Sequence, residues 1–296
     1  MPASDLTPPA SLACIGLGAL GLPITANLQA AGYTLRVHTR SRTAETDSSL
    51  VGATRACTPA AAVLGCKALL LCVSDDAAVE SVLWGEQGAG PALTPGSLVI
   101  DCSTISPATA RAMAGRLAKQ GVQFIDAPVT GGTEGAHAGQ LTVLCGGDVS
   151  DLERARPVLE GIGGSIHHFG AVGSGQQVKA INQVLVAGSY AAVAEAIALG
   201  QHLQLPMPAV VEALRHGAAG SWALEHRSSA MLNDHYPLGF KLALHHKDLS
   251  IALEEAEQAG LHLPITQAVQ EQEQALMQAG FKDADVSVLR RSLPEV

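Results

Sequence analysis

The strongest constraint on the fold is a change of sequence pattern near residue 172. Before it, short apolar runs alternate with helical patterns, and after it every periodic segment is helical. Strands that alternate with helices at this spacing form βαβ units in a doubly wound, mostly parallel sheet. The sequence therefore predicts an α/β domain over residues 11–172 and an all-α domain over residues 173–296. Residues 1–10, rich in Pro and Ser, are expected to form a flexible tail.

Six apolar runs are the expected strands: Leu12–Gly16, Thr34–Thr39, Ala68–Val73, Leu98–Cys102, Gln123–Ala127 and Leu141–Cys145. Helical patterns are expected at 59–65, 76–83 and 107–120 in the first half, and at 176–203, 209–216, 222–232, 242–259, 266–279 and 286–292 in the second. The long pattern at 176–203 is apolar on nearly all sides. Such a helix favours packing within a helical dimer interface.

Composition excludes several classes of protein. The net charge of −9 argues against nucleic acid as a main partner, because phosphate binding needs a basic surface. The least polar stretch, residues 184–200, contains Ser189, Tyr190 and Glu195, so we expect no membrane span. Six cysteines without C-x-x-C spacing are typical of small buried side chains in a reducing cytoplasm, although a catalytic thiol stays open.

A glycine-rich segment follows the first expected strand and opens a helix. It consists of Gly16, Leu17, Gly18, Ala19, Leu20 and Gly21. In this pattern the first glycine permits a tight turn, the second lets the backbone approach a pyrophosphate, and the third allows close helix–sheet packing. Its place between a strand and a helix predicts a dinucleotide site in a Rossmann domain.

The end of the second expected strand bears on the choice of cofactor. An NAD site usually places an acidic residue about 20 residues after the glycines. Here that place holds Thr39, Arg40 and Ser41, and the next acid is Glu45. Arginine can pair with a 2′-phosphate, so the segment favours NADP(H), while NAD(H) stays possible. The alternative interpretation is a solvated basic turn.

Two further motifs carry polar groups suited to a small substrate. Thr130, Gly131 and Gly132 end a strand in a turn whose backbone N–H groups could hold a carboxylate. Lys179 and Asn182 follow on the long helical pattern, where their spacing of three residues places them on one face. A Thr-Gly-Gly turn alone could be an ordinary loop, and a lone lysine could simply reach solvent.

Taken together and in this order, the three motifs resemble the β-hydroxyacid dehydrogenase family, which includes 3-hydroxyisobutyrate dehydrogenase and tartronate semialdehyde reductase. A fourth segment, Lys247-Asp248-Leu249, is similar to a motif near the end of that family, and the resemblance runs from about Leu12 to Ser292. Thr130 stands where Ser is more common in the family, and Leu20 stands where Met is usual.

The resemblance implies a role for each matching residue. Lys179 would be the catalytic acid/base, Thr130, Gly131 and Gly132 would hold the substrate carboxylate, and Asn182 would orient the substrate. The implied cofactor contacts are the glycine-rich segment, the 39–41 turn, Val73, Ser74, Thr104 and Lys247. The substrate would be a small carboxylated aldehyde, reduced to the matching hydroxy acid, and the protein would be a homodimer or homotetramer. No metal is expected in the site, because the adjacent pairs His167-His168 and His245-His246 cannot aim at one metal ion without strain.

The expected chemistry follows from the lysine. A free lysine titrates near 10.4, so at neutral pH its ammonium can donate a proton to the oxygen of a carbonyl that receives hydride. The reverse oxidation needs the neutral amine, so we expect oxidation to have the more alkaline pH optimum. Which semialdehyde and which physiological direction apply are left open. The alternatives are an imine-reducing relative and a non-catalytic NADP-binding protein of the same fold.

Overall fold

In the computed structural model, residues 4–294 are described, and they form two compact units. One unit ends at Lys179 and the other begins at Ala180. The division lies seven positions beyond the expected boundary at residue 172 and falls inside a long helix, Ser174–His202. Each unit has its own hydrophobic core.

The first unit is built on a six-stranded parallel sheet with the order β3-β2-β1-β4-β5-β6. Its strands are β1 (Ser11–Ile15), β2 (Thr34–His38), β3 (Thr54–Arg55), β4 (Ala68–Leu71), β5 (Leu98–Asp101) and β6 (Gln123–Asp126). All residues of β4 and β5 are buried, as expected for parallel strands covered by helices on both faces. The expected doubly wound sheet is therefore confirmed, and β1 and β4 meet at its centre.

A second, three-stranded sheet was not expected from the sequence. It consists of β7 (Val129–Thr130), β8 (Leu141–Cys145) and β9 (Gly163–His168), where β7 is antiparallel to β8 and β9 is parallel to it. The sequence of β9, Gly-Gly-Ser-Ile-His-His, lacks an apolar run, and the two residues of β3 are exposed. Neither strand therefore carries the alternation by which strands are recognised.

Six α-helices lie wholly within the described part of the first unit: α1 (Gly21–Ala30), α2 (Pro59–Val63), α3 (Asp76–Trp84), α4 (Pro107–Ala118), α5 (Gly132–Ala138) and α6 (Val149–Glu160). Side-chain oxygens of Thr58, Asp75 and Ser106 accept hydrogen bonds from backbone N–H groups at the starts of α2, α3 and α4. These caps satisfy amide groups that the helix itself leaves open, so each helix begins where its capping residue stands.

The second unit is all-helical, as expected. The long helix α7 (Ser174–His202) enters it, and α8 (Met207–Leu214), α9 (Trp222–Leu232), α10 (Leu242–Gln258) and α11 (Pro264–Leu276) follow. A π-helical turn at Met277–Phe281 and a 3-10 helix at Val286–Ser292 complete it. The expected segments agree with these helices to within a few residues, because Pro206, Pro208 and Pro264 mark the boundaries in the sequence.

The N-terminal segment differs from the expected flexible tail over residues 1–10. Leu6 is completely buried in the core of the first unit, and its carbonyl accepts a 3.0 Å hydrogen bond from the Tyr33 hydroxyl. Asp5 accepts a 2.8 Å hydrogen bond from Arg154 Nε. From Ser4 onward the segment is therefore part of the folded unit, and residues 1–3 lie outside the described residues.

Candidate active site

The glycine-rich segment forms a tight turn between β1 and α1. Gly16 has φ +96°, and its N–H donates a 3.0 Å hydrogen bond to the carbonyl of His38 at the end of β2. A Cβ atom on Gly16 would lie 2.2 Å from the carbonyl oxygen of Cys72, and one on Gly21 would lie 1.9 Å from that of Gly16. The turn therefore packs directly against the end of β4, which only glycine permits.

The start of α1 fits a dinucleotide. Within residues 4–294 the N–H groups of Gly18, Ala19, Leu20 and Gly21 make no hydrogen bond, whereas that of Leu22 bonds the Gly18 carbonyl at 3.0 Å. A Cβ atom on Gly18 would have nothing within 4 Å, which leaves room above the turn. Open backbone donors, an uncapped helix dipole and free space are the features that receive a pyrophosphate.

A buried carboxylate shapes the turn after β2. Glu45 accepts hydrogen bonds from the Thr39 N–H at 2.9 Å and from Arg42 Nε at 2.8 Å, and its side chain is almost fully buried. Sequence reasoning treated Glu45 only as the next acidic residue, whereas the structure makes it the anchor of this turn. Among the described residues Arg40 has no hydrogen-bond or ion-pair partner, and both Arg40 and Ser41 are exposed.

The segments after β4 and β5 are tied together. The N–H of Val73 donates a 2.9 Å hydrogen bond to Ser103 Oγ, and the N–H of Ser103 donates one of the same length to Asp101 Oδ1. Thr104 follows immediately and is partly exposed, while Ser74 is exposed and donates to Asp75 Oδ2 at 2.6 Å. Thr104, expected beside the nicotinamide, and Val73, expected at the cofactor ribose, therefore belong to one connected edge of the sheet.

Burial strongly affects one acid at this edge. Asp101 is completely buried, and its Oδ2 has no hydrogen-bond partner among the described residues. Burial raises the pKa of Asp101 to about 7, and the bonds from Ser103 oppose that shift. Sequence reasoning did not select this residue.

The Thr-Gly-Gly turn connects β7 to α5. Gly131 and Gly132 have φ values of +128° and +66°, which a residue with a side chain rarely adopts. Thr130 pairs with Thr142 on β8 and keeps a partly exposed side chain. The turn has the successive positive-φ geometry that leaves backbone N–H groups open to an anion.

The first turn of α7 is held by Asp126, the last residue of β6. Its carboxylate accepts hydrogen bonds from the N–H groups of Gly173 at 2.7 Å and Gln176 at 2.9 Å. Burial raises the pKa of Asp126, and these backbone bonds lower it. Lys179 follows on the same helix and is only 7% exposed, so it is not a solvated surface lysine.

The second unit contains the other two expected site residues in one hydrogen-bond network. Asn182 Nδ2 donates to Gln183 Oε1 at 2.7 Å, and Gln183 Nε2 donates to Asp248 Oδ2 at 2.6 Å. Lys247 Nζ lies 2.8 Å from Asp248 Oδ1, and both Gln183 and Asp248 are buried. Asn182 and Lys247, 65 positions apart in sequence, are therefore connected through two buried side chains.

Within the first unit, contacts link the expected site residues from one loop to the next. The glycine turn contacts Val73, Val73 bonds the loop that holds Thr104, and that loop bonds the helix that holds Lys179. Sequence reasoning missed the residues that make these links: Asp101, Ser103, Asp126 and Gln176. Asp126 carried a usable signal, since a charged residue in a buried strand needs partners.

Two other kinds of chemistry find little support. Burial raises the pKa of the thiols of Cys14 and Cys72 to about 12, so both stay protonated and poorly nucleophilic near neutral pH. No group of three or more His, Cys, Asp or Glu residues within 4–294 is arranged to hold a metal ion. In the adjacent pair His245-His246, His245 has a packing role, because it is fully buried against Glu273.

One described helix, α7, is long and apolar enough to cross a membrane by length and composition alone. The same property is found in core helices of soluble proteins. The first three turns of α7 carry Gln176, Lys179 and Gln183, and all three are buried within the protein.

The sequence matches two family models in succession. Residues 11–170 match the NAD-binding domain of 6-phosphogluconate dehydrogenase, and residues 173–293 match the NAD-binding domain of NADP-dependent 3-hydroxyisobutyrate dehydrogenase. The two matched ranges meet at the place where the sequence pattern changes.

Individual proteins are similar over nearly the whole chain. The 2-hydroxy-3-oxopropionate reductase of Escherichia coli is 36% identical, and the NAD-dependent L-serine dehydrogenase of Pseudomonas aeruginosa is 35% identical; each alignment covers 95% of this chain and 96% of the relative. The solved structure of Mycobacterium tuberculosis 3-hydroxyisobutyrate dehydrogenase with L-serine superimposes with a TM-score of 0.85 at 30% identity, covering 97% of this chain and 99% of that one.

Proposed function

Because the chain belongs to the β-hydroxyacid dehydrogenase family, and is thus an NAD(P)-dependent oxidoreductase, we propose that it reduces a small carboxylated aldehyde with Lys179 as general acid. One observation carries this proposal: Lys179 is buried on a helix whose first turn is bonded to Asp126, four residues before Thr130 of the Thr-Gly-Gly turn. A buried ammonium on a helix that is tied to the segment leading to such a turn suits a substrate that has both a carboxylate and a carbonyl.

Different residues would bind the carboxylate and transfer the proton. Thr130, Gly131 and Gly132 would bind the carboxylate through backbone N–H groups and the threonine hydroxyl. Lys179 would donate its proton to the carbonyl oxygen, with Asn182 holding that oxygen in place. A bound reduced nicotinamide supplies the hydride for the carbonyl carbon. In the oxidation of the hydroxy acid, neutral Lys179 would accept the hydroxyl proton.

We assign NADP(H) as the preferred cofactor on the basis of Arg40. Glu45 is already bonded to Arg42 and to the Thr39 N–H, so it is not available to receive a ribose 2′-hydroxyl in the usual way. Arg40 is exposed on the same turn, and its five N–H donors match a 2′-phosphate.

The cofactor assignment is tested by Arg40→Ala. This variant should lose about 10–100-fold in kcat/KM with NADPH and little with NADH, because a charge-assisted bond contributes about 1.5–3 kcal/mol. Arg116→Ala, which removes an exposed arginine on α4, is the matched control. Equal losses with both cofactors would contradict the assignment.

The substrate class rests on the relatives as well as on the site. The relatives are named for 2-hydroxy-3-oxopropionate, L-serine and 3-hydroxyisobutyrate, three-carbon acids or their methyl-substituted analogues. We therefore place 2-hydroxy-3-oxopropionate and methylmalonate semialdehyde first, and succinate semialdehyde, which is one carbon longer in its main chain, after them. L-serine and 3-hydroxyisobutyrate are the substrates to test for oxidation.

The decisive experiment is NADPH oxidation with these aldehydes, compared between the wild-type enzyme and Lys179→Ala. Turnover that the variant reduces at least about 1000-fold, while it still binds NADPH, is the expected result. Oxidation of the matching acid should have the more alkaline pH optimum. An inactive wild-type enzyme that binds NADPH would favour an imine-reducing or non-catalytic relative instead, and turnover of cyclic imines would then separate those two.

We also propose a homo-oligomer that forms through α7. Residues on one line of this helix are exposed, with Ile181 62%, Leu185 69% and Leu199 62% accessible. Between them on the same line lie Gly188, Ala192 and Ala196. Large side chains at both ends and small ones in the middle are self-complementary when a second copy crosses antiparallel near Ala192.

The oligomer is tested by Leu185→Glu, with Leu261→Glu at another exposed leucine as the control. Light scattering should give a smaller particle for Leu185→Glu alone, and an unchanged particle size would contradict this interface. A reducing cytoplasm is the compartment we propose, since all six cysteines are free.

A further inference from the structure

Gln176 has a buried side-chain amide in the first turn of α7, and both its oxygen and its nitrogen are hydrogen-bonded. It is 1% exposed, its Oε1 accepts a 3.2 Å hydrogen bond from the Ile105 N–H, and its Nε2 donates a 2.8 Å bond to the Ser103 carbonyl. A buried amide without such partners would be strongly unfavourable. Here the side chain bonds the main chain on both sides of Thr104.

The segment that Gln176 bonds is itself fixed on its other side. Ser103 Oγ accepts from the Val73 N–H, and the Ser103 N–H donates to Asp101. Ser103 therefore has three hydrogen bonds, two to the sheet edge and one to Gln176 of α7. The position of Thr104 is consequently determined by the ends of β4 and β5 and by the amide of Gln176.

The helix end of the connection is equally constrained. Asp126 accepts from the N–H groups of Gly173 and Gln176, which holds the first turn of α7 against the end of β6. Lys179 lies three residues further along the same helix, a rise of about 4.5 Å. Because a helical turn is stiff, the place of Lys179 follows from the placement of Gln176.

We infer that Gln176 is a positioning residue: its side-chain amide sets the distance between the loop of Thr104 and the helix of Lys179. The inference rests on the proposed function, in which hydride and proton must reach a carbonyl carbon and oxygen about 1.2 Å apart. The hydride would come from a nicotinamide beside the 103–105 loop, and the proton would come from Lys179. A misplacement of about 1 Å between reacting groups can reduce the rate about 100-fold.

The first test compares Gln176→Met with the wild-type enzyme. Methionine has nearly the same length and fills the same space, but it removes both hydrogen bonds. We expect kcat to fall about 10–100-fold, with the Kd for NADPH within about threefold of wild type. The primary isotope effect with 4-deuterated NADPH should rise, since hydride transfer becomes slower than the other steps. Gln270→Met, which removes a side-chain bond to Ser250, is the matched control.

The second variant, Gln176→Glu, gives a pH readout that lost stability alone would not produce. Its carboxylate accepts from Ile105 but faces the Ser103 carbonyl without a proton to donate. Protonation restores an O–H donor toward Ser103, so the activity of this variant relative to wild type should rise as the pH falls. Gln176→Met should show no such recovery.

The outcomes separate the two proposals. An active wild-type enzyme with an equally active Gln176→Met would overturn the positioning role alone. So would a loss of activity that comes with a lower melting temperature, an unchanged isotope effect and no recovery of Gln176→Glu at low pH. A wild-type enzyme inactive on every aldehyde and acid tested would overturn the proposed function, and with it the role of Gln176 in catalysis.

Discussion

The two units hold their buried polar side chains in different ways. In the first unit, Asp126 and Gln176 bond mainly to backbone groups in loops at the ends of strands. In the second unit, His245 bonds Glu273 and Gln183 bonds Asp248, side chain to side chain. Exceptions there include Asp285, which accepts from the backbone N–H groups of Gly239 and Phe240, and Arg290, which donates to backbone carbonyls as well as to Gln201.

The difference follows from where backbone groups are available. A helix uses its own N–H and C=O groups internally, so a polar side chain buried between helices must find another side chain. Loops at the ends of parallel strands leave backbone groups open, and these loops form the ligand sites of α/β proteins. The expected nucleotide-binding and carboxylate-binding turns therefore lie in the first unit, together with its backbone-bonded acids.

The largest effect is expected from breaking the side-chain pair of the second unit. His245 and Glu273 are both fully buried with Nδ1 and Oε1 2.5 Å apart. Glu273→Ala should lower the free energy of unfolding by about 3–5 kcal/mol, because it leaves His245 buried without its partner. Urea denaturation measures this change. The double variant His245→Phe/Glu273→Leu should recover most of the loss, and a double variant as unstable as the single one would contradict the explanation.

A smaller loss is expected where the partner is backbone. Asp126→Asn keeps one acceptor but turns an amide toward the second backbone N–H, so we expect a loss of about 1–3 kcal/mol. Activity should fall further than this stability change explains, because the position of the first turn of α7 sets the position of Lys179 in the next turn. Urea denaturation and kcat measured on the same preparation check this prediction. Unchanged kcat together with reduced stability would mean that Asp126 has a purely structural role.

A further effect should appear as a pH dependence of the first unit. Burial raises the pKa of Asp101 to about 7 from its ordinary value of 3.8. The folded protein therefore holds this proton over a range in which the unfolded chain releases it. The resulting contribution to the free energy of unfolding is fully present below the unfolded-chain pKa of 3.8. It is lost as the pH rises through the folded-state pKa of about 7.

The variant Asp101→Asn tests whether ionisation of Asp101 lowers the stability of the protein as the pH rises. Its melting temperature should exceed that of the wild type by more at pH 8 than at pH 5, because asparagine carries no charge to bury. Asp47→Asn removes a partly exposed acid and should give a constant difference over the same range. A wild-type melting temperature that falls no faster than that of Asp101→Asn would show that Asp101 is not the group that titrates.

Particular elements show how far sequence reasoning reached. The six expected strands and the helical segments after residue 173 were confirmed, because apolar runs and prolines mark them locally. The short strands β3, β7 and β9 were missed, since their residues carry no apolar alternation. The N-terminal segment resembled a tail in composition, yet Leu6 is buried.

The sequence by itself determined which loops could carry chemistry, because turns that need glycine and helices that need caps have local signatures. The GxGxxG turn, the Thr-Gly-Gly turn and the lysine of α7 are all readable in this way. Only the tertiary structure decided which groups connect them. Gln176 bonds residues 71 and 73 positions away, and Asp126 bonds residues 47 and 50 positions away. Such partners depend on how distant segments pack, and no local pattern records that packing.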